Sequence, residues 1–296
     1  MRIAYVAKHD SGGNDDEGAI TYALEQLGHE VIRIQERRGH LVVNYLPDFV
    51  LFHKWFDQDT LRKLRCPRVF WYFDLVHHRD QVLRQRCIGR IHWMNCITPL
   101  VDLGFCTDGD WVAHDHSGKL VHLPQGADAR IIGQACINPT TPTGTILFTG
   151  IRSGGRTRTT FVDEMRYSYR DRFIHITNGA YRLSLASAIA SSDIVVAPDG
   201  PVTNLYWSNR VYMALGFGAF MLHPYCSKLT EHYEHFKEIV YYETRIELHD
   251  LIDRFTSVPL VRQAIAKDAL DRTAKEHTYT HRCQQLIEVV KERLKI

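Results

Sequence analysis

The chain predicts an α/β protein of two Rossmann-like domains facing a central cleft. Three observations carry that expectation: strand and helix patterns alternate in both halves, each half has a Gly-containing loop after its first strand, and a Pro, Thr and Gly stretch separates them. The 296 residues suffice for two ordinary domains, and 45% hydrophobic with 24% charged residues is the composition of a water-soluble globular protein. No apolar run approaches the roughly 20 residues of a spanning helix, and Met1 leads directly into a strand pattern, so a cytoplasmic protein is expected.

In the first half, Arg2 to Ala7 reads as a strand, Asp15 to Leu27 as a helix stopped by Gly28, and Glu30 to Ile34 as the next strand. The loop closing the first strand lies at the carboxyl edge of a parallel sheet, where ligands bind. His9, Asp10, Gly12, Gly13 and Asn14 are therefore candidate site residues; the loop lacks the G-x-G-x-x-G dinucleotide fingerprint. Phe49 to His53 and Arg68 to Phe73 continue the sheet. Asp74 follows the latter strand, with His77 and His78 within one turn. A carboxylate there reads either as a general base or as the cap of the next helix. Ile91 to Thr98 and Lys119 to Leu123 read as two further strands, and Thr107 to His116 as a polar and aromatic loop, either bordering an acceptor or simply at the surface.

The linker is expected at Asn138 to Gly144, giving domains over 1–136 and 137–280 and a last helix over 281–296. Beyond it, the strand Ile146 to Gly150 runs into a Gly and Arg loop with Arg152, Arg156 and Arg158. Glycines for close approach and cations at a strand end suit a diphosphate, and the absence of a Lys-Ser/Thr pair argues against a P-loop NTPase. Ser208, Asn209 and Arg210 then open an apolar helix pattern that stops at Gly216-Phe217-Gly218 before another strand. This stretch reads either as an amphipathic helix feeding a strand or as an anion-binding helix start.

Two statistics bound the partners. The seven cysteines show no C-x-x-C, and no His, Cys or Asp spacing matches a metal site, so no metal is expected. Net charge is only +2, yet Arg62 to Arg90 holds eight Lys or Arg against Asp74 and Asp80, which reads as a polyanion-facing surface or as solvated helix faces.

Leu123-Pro-Gln-Gly-Ala-Asp128, Leu147-Phe-Thr-Gly150, Ser208-Asn-Arg-Val-Tyr212 with Gly216-Phe-Gly218, Glu247-Leu248 and His277-Thr-Tyr-Thr-His-Arg282 stand in an order that resembles the GT-B glycosyltransferases. Within them the chain is similar to the spore-maturation-like group with family 1 type C-terminal domains, which also occurs in phages. The resemblance implies transfer from a nucleotide-diphosphate sugar, UDP-sugar above all, as co-substrate with no tightly bound cofactor. It implies that Gly150 with Arg156 or Arg158 approaches the diphosphate and that Asn209 and Arg210 face the donor phosphates or sugar, with Tyr212 supporting them; Arg152 and Ser208, read from the residues, complete the donor-side candidates. Gly12 and Gly13 would match the loop that abuts donor and acceptor, Asp74 would be the candidate base, and the last helix would cross back onto the first domain; Asn14 and His78 at the acceptor side and His77 and His9 as further catalytic candidates are read from the residues. One departure is Met213, where better-known members carry a Glu that contacts the ribose; a thioether is at most a weak acceptor. The basic run extends the acceptor expectation to double-stranded DNA bearing hydroxymethylated pyrimidines. The rivals are a glycan or small-molecule acceptor, and a non-catalytic sugar-nucleotide or nucleic-acid binding protein.

Overall fold

The computed structural model describes residues 1–9, 15–53, 58–76, 81–134, 144–150, 156–177, 182–198 and 203–296; the side chains of 81–86, 156–157 and 182–183 fall outside that description. The chain divides into two compact units, Met1–Ala129 with Thr278–Ile296, and Arg130–His277.

The first unit holds β1 (Arg2–Ala7), α1 (Asp16–Gln26), β2 (Glu30–Gln35), β3 (Phe49–Phe52), α2 (Gln58–Lys63), β4 (Arg68–Tyr72), α3 (Gln81–Ile97), β5 (Leu103–Cys106), α4 (Gly109–Ala113) and β6 (Leu120–His122). Its strands form a parallel sheet in the order β2-β1-β3-β4-β5-β6. The period of two along a strand sorts β1 between the faces. Ile3, Tyr5 and Ala7 pack with Ala19, Ile20, Ala23 and Leu24 of α1, whereas Ala4 and Val6 join Met94 and Ile97 of α3 on the other side. Asp15 starts α1 by accepting from the Gly18 amide at 3.0 Å, and Gly28 ends it with φ +81°.

Here two expectations are corrected. Ile91 to Thr98 is not a strand: Ile91 to Ile97 completes α3, and the missing strand is Leu103–Cys106. The β-branched and aromatic letters of IHWMNCI suggested a strand, but Met94 and Ile97 are spaced to bury one stripe of a helix. Thr107 to His116 is not simply a surface loop either. Asp108 within it is fully buried, accepting from the Trp111 amide at 3.1 Å to start α4 and from the Val76 amide at 2.8 Å.

The second unit holds β7 (Ile146–Thr149), α5 (Arg156–Tyr169), β8 (Phe173–Ile176), α6 (Arg182–Ala190), β9 (Ile194–Val196), α7 (Arg210–Gly216), β10 (Met221–Pro224), β11 (Val240–Tyr242), α8 (Arg245–Thr256) and α9 (Pro259–Glu276). Its sheet is parallel too, in the order β11-β10-β9-β7-β8. Gly218, at φ +81°, is the glycine that turns the chain out of α7 into β10.

The chain returns to the first unit through α10 (Tyr279–Leu294). Thr278 and His281 close a capping box at its start, and Tyr279, Cys283, Leu286, Ile287 and Val290 enter the core beside α1. Gly126 makes room for this return, since a Cβ there would lie 2.6 Å from the Thr278 carbonyl carbon. Among the described residues, no helix is long and apolar enough to cross a membrane.

Candidate active site

A doubly wound parallel sheet opens a crevice where successive connections leave a strand in opposite directions, outside the carboxyl ends. In the second unit that point lies between β7 and β9, because β8 flanks β7 on one side and β9 on the other. A cavity, partly open to solvent, sits there. Phe148 and Thr149 from β7, Val195 to Pro198 from β9 and beyond, and Met221 and His223 from β10 form its walls, with Tyr206, Ser208, Arg210, Val211 and Ala214 around the start of α7 and Arg158 from α5.

Arg210 is its central charge. The guanidinium rests against Gly150: a Cβ at that glycine would stand 3.2 Å from both Cζ and Nε of Arg210 and 3.1 Å from the Phe148 ring. Gly150 has φ +147°, a conformation that side-chain-bearing residues rarely adopt. Its backbone is pinned from both sides, with its amide donating to the Ile176 carbonyl at 2.9 Å and its carbonyl accepting from His175 Nε2 at 2.7 Å. His175 in turn stacks on Phe148, centroids 5.1 Å apart and 13° from parallel.

Ser208 Oγ accepts from Arg210 Nη1 at 3.2 Å and from the Arg210 amide at 3.4 Å. Among the described residues no carboxylate pairs with this guanidinium. Burial accordingly lowers the Arg210 pKa, with Tyr206 acting weakly in the opposite sense. The group remains a cation at neutral pH. A desolvated cation without a counter-charge is costly, and an anionic ligand relieves that cost. Arg158, half-buried in the first turn of α5, adds a second cation to the same wall.

The remaining donor-side candidates divide. Gly150, Arg158, Ser208 and Arg210 come together. Asn209 belongs to the first turn of α7, with φ −48° and ψ −25°, and its side chain makes no capping bond. Tyr212 points elsewhere: it is buried, accepts from Trp207 Nε1 at 3.0 Å and lies 3.1 Å from His232 Nδ1. It thus fixes Trp207, the residue before Ser208. Arg152 and the side chain of Arg156 lie outside the described residues.

In the first unit the equivalent crevice falls between β1 and β3. His9 follows β1; its Nε2 donates to the Tyr5 carbonyl at 3.1 Å and its amide donates to Gln35 Oε1 at 3.0 Å. Asp74 follows β4, half-buried, with Oδ2 4.0 Å from Arg90 Nη2, while Arg90 Nη1 donates to the Leu75 carbonyl at 2.8 Å. Gly12, Gly13, Asn14, His77 and His78 lie outside the described residues. Two histidines were not singled out from sequence. His53 closes β3: its Nδ1 donates to the Trp71 carbonyl at 2.7 Å, so its Nε2 accepts the Tyr5 hydroxyl. His223, the penultimate residue of β10, lines the second-unit cavity. Each is the histidine that follows an apolar run, as in FVLFH and in FMLH.

With this geometry in place, the similarities to known proteins can be read. A family model described as "Glycosyl transferase-like" matches residues 150–288. The fold is GT-B, and residues 150–288 resemble a glycosyltransferase-like domain. Solved GT-B relatives extend the likeness to the whole chain. A glycosyltransferase from Rickettsia africae shares 11% identity at TM-score 0.65, covering 100% of this chain and 99% of that one. Anabaena HepE, solved in complex with UDP-glucose, shares 12% at TM-score 0.66, covering 99% and 100%. Sucrose-phosphate synthase from Thermosynechococcus elongatus shares 11% at TM-score 0.69, covering 100% and 99%. No curated protein matches the sequence. The matched family segment starts at Gly150 and includes Arg158, Ser208, Arg210 and His223, so the cavity walls beyond β7 lie within the glycosyltransferase-like domain.

Proposed function

We propose that the chain transfers a sugar from a UDP-sugar to a hydroxyl acceptor, with the donor diphosphate seated against Arg210 and Arg158. The observation that carries this reading is the Arg210 guanidinium, desolvated beside Gly150 and without a carboxylate partner among the described residues. In the reaction an acceptor oxygen bonds to the anomeric carbon as the bond from that carbon to the diphosphate breaks. The arginines take up the charge on the leaving diphosphate. If the configuration inverts, Asp74 receives the acceptor proton, and His9 and His77 are the other catalytic candidates. We assign residues 1–136 to the acceptor and 137–280 to the donor, place the chain in the spore-maturation-like, phage-type subgroup, and take the enzyme to work in the cytoplasm without a tightly bound cofactor.

The acceptor we put forward is duplex DNA carrying hydroxymethylated pyrimidines. What supports it is the basic run: Lys63 and Arg65 are exposed, whereas Arg62, Arg68 and Arg90 face Asp59, Asp102 and Asp74. Binding to such a duplex should weaken steeply with added salt. Lack of binding at low ionic strength turns the reading to a glycan or small-molecule acceptor. The transfer itself is tested by incubating the protein with a panel of nucleotide sugars and measuring free nucleotide. Release with a UDP-sugar, reduced by Arg210→Ala, is the expected result; no release with any donor favours a non-catalytic binding protein. Asp74→Asn should abolish transfer and leave UDP binding intact, and retained turnover removes Asp74 as the base.

A further inference from the structure

His223 has no assigned role, yet it supplies the cavity with a kind of group the arginines cannot. Its Nδ1 lies 2.7 Å from the Pro224 carbonyl oxygen, which can only accept, so Nδ1 carries the proton. A neutral imidazole has one N–H, which leaves Nε2 as a lone pair. No partner for that nitrogen exists among the described residues. The ring is 2% exposed, and burial lowers its pKa to about 4, so it is neutral throughout the physiological range. Tyr241, edge-on with its centroid 6.4 Å away, helps to hold the ring.

A lone pair in an apolar wall repels a phosphate oxygen and accepts an N–H or O–H. Of the remaining walls, Phe148, Val195, Val196, Val211, Ala214 and Met221 offer flat or aliphatic surface, and Thr149, Tyr206 and Ser208 add hydroxyls that turn to donate or accept, whereas His223 Nε2 only accepts. The cavity therefore combines two cations for an anion with one fixed acceptor for a neutral group that bears a donor. A molecule that meets both demands joins a phosphate to a hydroxyl- or imide-bearing ring.

We propose that His223 Nε2 accepts a hydrogen bond from the nucleoside of the donor, either the imide N3–H of uracil or a ribose hydroxyl, and so selects a nucleoside diphosphate over a bare diphosphate. The proposal rests on the reading of the cavity as a nucleotide site. In it the arginines supply strength, while His223 supplies discrimination between nucleosides.

The test is calorimetric titration of the full chain and of His223→Phe with UDP, N3-methyl-UDP, 2′-deoxy-UDP, 3′-deoxy-UDP and inorganic pyrophosphate. A neutral hydrogen bond is worth about a 3-fold to 10-fold change in affinity. The wild type should bind UDP tighter by that factor than one of the three analogues, and the analogue that loses affinity names the donor atom. H223F should bind UDP weaker by a similar factor, lose the discrimination against that analogue, and bind pyrophosphate as the wild type does. Should H223F also lose pyrophosphate binding, His223→Gln, whose amide oxygen can accept, decides: retained discrimination supports the proposal, and its loss overturns it. Equal UDP affinity and unchanged discrimination in H223F overturn the role of His223 while leaving the nucleotide reading in place. Absence of both UDP and pyrophosphate binding in the wild type overturns the two together.

Discussion

Replacing Gly150 with alanine perturbs the proposed diphosphate seat without removing a charged group. Two costs follow from the structure. At φ +147° an alanine is strained by roughly 1–3 kcal/mol. Its Cβ would also stand 3.1 Å from Phe148 Cζ and 3.2 Å from Arg210 Cζ. The arginine end yields more readily than the packed ring, so the guanidinium moves and its bond to Ser208 is weakened, a further loss of about 1 kcal/mol. Together these should lower the stability of the second unit by about 2–4 kcal/mol, or on the order of 5–10 °C in its unfolding midpoint. UDP affinity should fall about tenfold or more, because a charge-assisted contact is displaced. Thermal unfolding by circular dichroism and calorimetric UDP titration read the two effects. Gly218→Ala is the control: Gly218 also has positive φ, +81°, but nothing lies within 4 Å of a Cβ there. It should lose stability and keep UDP affinity. A Gly150→Ala protein that binds UDP as tightly as wild type would refute the placement of the diphosphate against Arg210.

Three further outcomes are expected. Leu286, fully buried where α10 meets the first-unit core, should cost about 2–5 kcal/mol when changed to alanine, measured by urea unfolding; an unchanged midpoint contradicts the role of α10 in that core. Arg262, 5% exposed and paired with Asp193, should cost about 3–5 kcal/mol as Arg262→Met, because the carboxylate stays behind in a site built for the pair; a neutral effect sinks that account. His223 titrates near 4 in the native state against an ordinary 6.5, so on acidification the unfolded chain takes up its proton first, and stability present above 6.5 is lost as pH falls toward 4. Between pH 7 and 4.5 the wild type should therefore lose about 2–3 kcal/mol more than His223→Phe, and parallel pH curves contradict it.

Much of the fold was legible because strong signals agreed. RIAYVA, FVLFH and ILFTG are short apolar runs bounded by turn residues, and each is a strand or runs to within a residue of one. The segment Ile91 to Ile97 failed for the opposite reason: its aromatic and β-branched content favours a strand, and only the tertiary burial of Met94 and Ile97 reveals the helix. At the site, Gly150 and Arg210 were legible singly, as a glycine at a strand end and a cation at a helix start. Their contact was not, since it depends on the parallel alignment of β7, β9 and β10 and on the positive φ of Gly150. His223 was hidden because one histidine ending an apolar strand looks like any buried histidine. Only the bond from Nδ1 to Pro224 fixes which nitrogen can accept.

On the proposed function, this cavity receives a nucleoside diphosphate on Arg210. Calorimetric titration of UDP into the wild type and into Arg210→Ala addresses it most directly. Wild-type binding, weakened about 10-fold to 100-fold in the variant, is the predicted result. The same UDP affinity in both proteins would contradict it.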